Sequence, residues 1–153
     1  MATSNAAVAK ADEGQIRRMV EQWREAIRSR DLDKLESLYA TDMLFFDVIP
    51  PYVQSGSKAY RATWEGMLRQ LPPHVTPYTR DAQIHVSGDL AVMHGFTQLV
   101  NADTQTEATM GWVRVTVVYQ RTGSEWKVIH EHVSVPIDPR TGKGTMTPRA
   151  VVA

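Results

Sequence analysis

The hydrophobic pattern of this chain changes period once, at Leu71-Pro72-Pro73, and the change divides it into a helical half and a sheet half. Before that point Ile16, Met19, Val20, Trp23, Ala26 and Ile27 recur every three or four residues, with Arg17, Arg18, Glu21, Arg24 and Glu25 on the opposite side. This spacing lines one face of an amphipathic helix. Asp12 stands where an N-cap should, and Gln15 three residues later completes a capping-box pattern. The helix is therefore expected to start there, with residues 1–11 as a loose arm. Asp31 is expected to cap a second, shorter helix carrying Leu32, Leu35, Leu38 and Tyr39. Met43 to Val48 reads as a short strand ended by Pro50-Pro51, because proline has no N–H for a ladder. Ser55-Gly56-Ser57 then introduces a third helix, with Tyr60, Trp64, Met67, Leu68 and Leu71 on its apolar face.

Beyond Pro73 the period is two. Strands are predicted at 75–87, 90–101, 107–121 and 125–136, with turns at Gly88-Asp89, Ala102-Asp103 and Thr122-Gly123-Ser124. Long antiparallel strands twist and curl. Three helices ahead of such a sheet imply an α+β domain, expected over residues 12–137, whose helices cover one concave face. Residues 138–153 read as a tail. A chain of 153 residues has the length of a single domain. Seventeen basic residues balance seventeen acidic ones, so no net field draws the chain to nucleic acid or to an anionic membrane. Cysteine is absent, which excludes disulfides and thiolate chemistry. Met1 to Ala11 lacks the apolar core of a signal peptide and no run of eighteen apolar residues occurs, so a cytoplasmic location is expected.

The order helix, helix, short strand, helix, long sheet resembles that of the NTF2-like superfamily. Leu38-Tyr39-Ala40-Thr41-Asp42, Phe45-Phe46-Asp47 and Gly56 before a helix resemble the first half of its SnoaL-like branch. Trp126-Lys127-Val128-Ile129-His130-Glu131-His132-Val133-Ser134 resembles its last strand. The resemblance implies a cystatin-like cone, three helices on a curved antiparallel sheet. It also implies a role for Asp47. In ketosteroid isomerase-like members a catalytic aspartate lies nine residues before the glycine that opens the third helix, and Asp47 and Gly56 have that spacing. A carboxylate at the rim of an apolar cup is poorly solvated, its proton affinity rises, and it becomes a base for a weak carbon acid. The plainer reading makes Asp47 a turn residue bonded to neighbouring amides.

The oxyanion partners of the isomerase are missing: the same alignment puts Trp23 in place of a tyrosine and a valine near Val115 in place of an aspartate. Steroid isomerisation by that mechanism is not expected. The alignment also implies an inward face of Val92, His94, Phe96 and Gln98, then Val113, Val115 and Val117, then Ile129, Glu131, Val133 and Val135. His94, Gln98 and Glu131 would then be the polar members of an apolar lining, the pattern of a selective small-molecule site. Each has a structural alternative, His94 as a satisfied strand residue and Glu131 in an ion pair with Arg114 or Arg61. A one-residue slip would reverse every assignment on a strand. His130 and His132 would face outward beside Trp112, Arg114, Thr116 and Ser134, where the superfamily forms its back-to-back dimer. No third metal ligand accompanies them, and neither metal nor cofactor is expected. Trp23, Tyr39, Tyr60 and Trp64 lie on buried helical faces and are candidates for the cavity wall.

These residues lead to one functional expectation and two rivals. The first is a cofactor-independent isomerase or cyclase acting on a small hydrophobic carbonyl compound, with Asp47 as general base assisted by His94 or Glu131. The rivals are a non-catalytic ligand-binding or dimeric assembly module, and an epoxide-type hydrolase with carboxylate-activated water.

Overall fold

A computed structural model describes residues 2–104 and 108–146. Helix α1 (Ala2–Ser29) is followed by α2 (Leu32–Ser37), strand β1 (Tyr39–Phe46), the two-residue strand β2 (Gln54–Ser55) and helix α3 (Ser57–Gln70). Strands β3 (Val75–Ser87), β4 (Leu90–Asn101), β5 (Ala108–Thr122) and β6 (Glu125–Ser134) complete it. They form one six-stranded sheet in the order β2-β1-β6-β5-β4-β3. The sheet is mixed rather than wholly antiparallel, because β1 runs parallel to β6. The architecture is the α+β, cystatin-like cone, with helices packed against the concave face.

Local chemistry accounts for most element ends. The Asp31 side chain accepts the Lys34 amide at 2.9 Å and caps α2. Gly56, at φ +94°, is the residue before α3, and a Cβ there would stand 3.3 Å from the Thr41 carbonyl. At the far end of α3, Arg30 donates to the carbonyls of Leu68 at 2.7 Å and Pro73 at 3.0 Å, satisfying acceptors that the helix leaves open.

Four expectations about the elements change. Helix α1 begins at Ala2, not at Asp12, because Ala6-Ala7-Val8-Ala9-Lys10-Ala11 is a strong helix-forming run. Asp12 is not a cap; its side chain is buried and accepts from Arg121 at 2.6 Å, tying α1 to the end of β5. Tyr39 opens β1 instead of continuing α2, since β1 pairs in parallel with β6 from Tyr39↔Val128 onward. Residues past β6 turn back: Ile137 bridges Gly144, and the Trp112 amide donates to the Met146 carbonyl at 2.8 Å. The segment to Met146 thus takes the place beside β5 that β6 has vacated.

The core gathers where α1 and α3 meet the concave face. Ile16 and Ile27 of α1, Leu35 of α2, Phe45 of β1 and Tyr60 of α3 are sealed there with Leu99 and Val128. Burial of such side chains contributes about 1.5–3 kcal/mol each. The wide end of the cone is not filled by this core.

Candidate functional site: a cavity with two carboxyl groups

The unfilled end is an apolar cavity of about 750 Å³. Strand alternation supplies its floor: Met93, Thr97 and Leu99 from β4, Val113, Val115 and Val117 from β5, and Glu131 and Val133 from β6. Trp23 of α1 and Trp64 of α3 form the roof, their rings edge to face with centroids 5.7 Å apart. The segment after β1, Asp47 to Pro51 with a cis Pro50–Pro51 bond, forms one side. Met146 from the returning C-terminal segment forms another.

Glu131 carries the main polar arrangement. Its residue is 8 % exposed, the Tyr39 hydroxyl lies 2.9 Å from Oε2, and the Tyr60 hydroxyl lies 3.0 Å from Oε1. The two hydroxyls are themselves 2.7 Å apart. Three oxygen pairs therefore form a closed triangle. Each hydroxyl has one proton, so an ionised carboxylate leaves the triangle one proton short. A protonated Glu131 completes it: Tyr39 donates to Tyr60, Tyr60 to Oε1, and the Glu131 hydroxyl to Tyr39. The Trp23 indole N–H also donates to the Tyr60 oxygen, at 3.3 Å. Burial raises the Glu131 carboxyl to about 7, against the opposing pull of the tyrosine donors, and the Asp47 charge raises it further. Burial and the Glu131 charge both hold the tyrosine hydroxyls well above their ordinary value, so they remain protonated donors.

Asp47 is half-buried at the edge of β1. Burial raises its carboxyl, while the amides of Val48 and Ile49 act in the opposite direction. The Val48 amide donates to Oδ1 at 2.6 Å. Both sequence readings of this residue thus meet in one place, a carboxylate bonded to the turn after it that also borders the cavity.

Of the residues singled out from sequence, Asp47, Glu131, Trp23, Tyr39, Trp64 and Val115 border the cavity. Tyr60 stands behind the wall, bonded to Glu131. His94, Phe96 and Gln98 do not reach it. Strand β4 runs one residue out of the expected register, with Ala91, Met93, Thr97 and Leu99 buried and His94 exposed on the convex face, stacked against His85 at 5.7 Å. The pairing with β5 gives the physical reason: Met93, Gly95 and Thr97 stand directly opposite Val117, Val115 and Val113, and opposed residues share one face of a sheet. On the other side of β4, a bulge in β3 between Arg80 and Gln83 places Asp81 at φ +56° beside Gly95. A Cβ at Gly95 would stand 3.0 Å from the Arg80 carbonyl, so glycine admits the bulge. On β6, Ile129 falls between Val128, paired with Tyr119, and His130, paired with Val118, and it is absent from the cavity wall, as is Val135. Among the described residues Glu131 makes no ion pair with an arginine: Arg61 binds Asp33 and Glu36. Arg114 pairs across the strands with Phe96 and Ser134 on the convex face, where His130 and His132 also lie against Phe46.

Sequence reasoning missed Thr97, Met93 and Met146. Val92, His94, Phe96 and Gln98 on one side and Met93, Gly95, Thr97 and Leu99 on the other each mix apolar with polar or small residues, so periodicity alone cannot choose between the faces of β4.

Among the described residues no cluster of three or more His, Cys, Asp or Glu could hold a metal ion. No helix among them is long and apolar enough to cross a membrane.

Comparison with known proteins adds to this geometry. The family model of the SnoaL-like domain matches residues 16–138. An NTF2-like protein of unknown function from Pseudomonas putida KT2440 is 33% identical, with a TM-score of 0.83 over 92% of this chain and 98% of that one. An NTF2-like protein with a cystatin-like fold from Novosphingobium aromaticivorans, 18% identical, superposes with a TM-score of 0.74 over 86% of this chain and 85% of the other. A candidate dehydratase of the NTF2-like family from Streptomyces avermitilis, 19% identical, gives 0.70 over 84% and 99%. A search of curated proteins finds no match.

Proposed function

The chain belongs to the SnoaL-like domain family, and from that premise we propose that it is a small-molecule enzyme catalysing proton transfer on a carbonyl compound held in the cavity. Asp47 is the general base and the Glu131–Tyr39–Tyr60 triangle is the acid. The observation that carries this reading is that Asp47 and Glu131 border one apolar cavity, where burial raises the Glu131 carboxyl to about 7 and the Asp47 charge raises it further. Groups poised near neutral pH make effective general acids and bases.

In the proposed step Asp47 removes a proton from the carbon next to the carbonyl. The electron pair moves into an enolate, and the Glu131 hydroxyl turns from Tyr39 to donate to the oxygen where charge develops. Where a double bond lies β,γ to the carbonyl, the electron pair spreads into a dienolate and the proton returns from Asp47 to the γ-carbon, giving isomerisation; alternatively the enolate attacks a second carbonyl of the same molecule, whose oxygen takes up the proton as the ring closes. No metal or redox step is needed. Glu131 takes the acid's role that the sequence shared between it and His94, since His94 is on the other face of the sheet.

Support for the rival binding module comes from the bond between the Val48 amide and Asp47, which a purely structural turn would also make. One experiment separates the two readings: deuterium uptake from D2O into the α-carbon of a soluble cyclic ketone such as 2-tetralone, followed by NMR. Uptake above the buffer rate that Asp47→Asn abolishes supports the enzyme. Binding of the ketone without enhanced exchange supports the module. The same reading has the protein act in the cytoplasm as a homodimer through the convex sheet face of Trp112, Arg114, His130 and His132. Light scattering at micromolar concentration tests the dimer.

A further inference from the structure

The cavity wall has an unusual charge composition. Asp47 and Glu131 are its ionisable acids, and among the described residues that line it there is no lysine, arginine or histidine. Arginines on neighbouring elements are committed elsewhere. Arg24 donates to the Pro77 carbonyl at 3.0 Å and to Glu21, and Arg30 is held by the end of α3. Arg80 lies over the Trp112 ring on the convex face, and Arg121 binds Asp12 and Asp89. Two neutral donors of the wall are already engaged: the Trp23 indole N–H donates to the Tyr60 hydroxyl at 3.3 Å, and the Thr63 hydroxyl donates to Gln54 Oε1 at 3.0 Å.

The apolar part of the wall is deformable. Five of the seven methionines in the sequence, Met19, Met67, Met93, Met110 and Met146, border the cavity. Methionine has three rotatable bonds and a polarizable sulfur, so it fills against varied outlines. A wall of this kind discriminates weakly by shape. Charge is another matter: an anion carried into it would lose its water, meet no cation among the described lining residues, and face one or two carboxylates.

We propose that this site selects its substrates by charge before shape, accepting uncharged, largely apolar carbonyl compounds of varied outline and rejecting those that carry a carboxylate, phosphate or other anionic group. The inference rests on the reading of the cavity as the substrate site, and not on the reaction assigned to it. Phosphorylated intermediates and free carboxylic acids are thereby excluded as substrates. The reaction that supplies the substrate must deliver it neutral, as a ketone, lactone or ester.

The test uses three ligands on one skeleton: 2-tetralone, tetralin-2-carboxylate and the methyl ester of that acid, titrated calorimetrically into the wild-type protein at pH 8. The ketone and the ester are expected to bind with similar affinity, and the carboxylate at least about tenfold more weakly. Asp47→Asn, which removes one negative charge from the wall, is expected to narrow the gap between ester and carboxylate several-fold. Carboxylate binding equal to or tighter than the ester, a gap that Asp47→Asn leaves unchanged, or no saturable binding of either neutral compound would overturn the proposal. A neutral compound that binds without exchanging its α-protons would contradict the assigned reaction and leave the charge selectivity standing.

Discussion

The hydroxyl of Tyr60 stands 3.0 Å from Oε1 of Glu131, joining the helix that roofs the cavity to the strand that floors it. Seventy-one residues separate the two in sequence. The contact therefore reports the closed cone as a whole, and it also sets the chemistry of the acid. Hydrogen bonds donated to a carboxylate favour its charged form. Tyr60 and Tyr39 thus hold Glu131 below the value that burial alone would impose.

Removing one donor should move that balance. In Tyr60→Phe, the Glu131 carboxyl is expected to titrate above its present value of about 7, since the ionised form loses a partner. The Trp23 indole N–H, which now donates to Tyr60, also loses its acceptor. Carbon-detected NMR of a labelled Glu131 carboxyl follows the titration directly. A midpoint that stayed in place or fell would show that the tyrosine does not bear on the charge.

The same group makes stability depend on pH in a defined direction. The Glu131 carboxyl is raised in the folded chain, from an ordinary 4.5 to about 7. Between those values the folded state holds a proton that the unfolded state has released. Its stabilising contribution is full below about 4.5 and is lost as pH rises through about 7. The shift corresponds to on the order of 3 kcal/mol. Raised Asp47 adds in the same direction. Urea unfolding of wild type and Glu131→Gln from pH 4.5 to 8 should therefore show the variant gaining relative stability as pH rises. Parallel curves would mean that Glu131 is as solvated as an ordinary carboxylate.

The returning C-terminal segment belongs to the cavity, and Gly111 is what lets it approach. A Cβ at Gly111 would meet the Met146 Cβ at 2.5 Å and its carbonyl oxygen at 2.7 Å. Gly111→Ala is expected to displace Met146 and break the bond from the Trp112 amide. Hydrogen exchange at Trp112 should accelerate by at least about tenfold, while the rest of β5 keeps its protection. Ligand affinity should fall with it. An unchanged Trp112 amide would show that the segment is not held there.

Much of the frame could be read from the pattern of residues, because strongly periodic segments declare themselves. The third helix and strands β3 and β4 lie where alternation and turn residues put them. The choice of face on β4 was not legible, since each of its alternations mixes apolar and polar residues and the face is decided by pairing with the distant β5, Met93 opposite Val117 and Thr97 opposite Val113. Asp12 resembled a cap from local sequence, and only the return of β5 with Arg121 reveals it as half of an ion pair. Asp47 and Glu131 were legible through their likeness to family motifs. The tyrosine partners of Glu131 were visible as buried aromatics, but the triangle requires three elements to meet, and no local pattern encodes that meeting.

The most direct test of the account is the rate of α-proton exchange of 2-tetralone in D2O near pH 7, with wild-type protein, Asp47→Asn and Glu131→Gln side by side. General base catalysis predicts exchange above buffer that falls by roughly 10²–10⁴ in Asp47→Asn and by a smaller factor in Glu131→Gln, with the ketone still bound. Exchange by Asp47→Asn at the wild-type rate would contradict the assignment of Asp47 as the base.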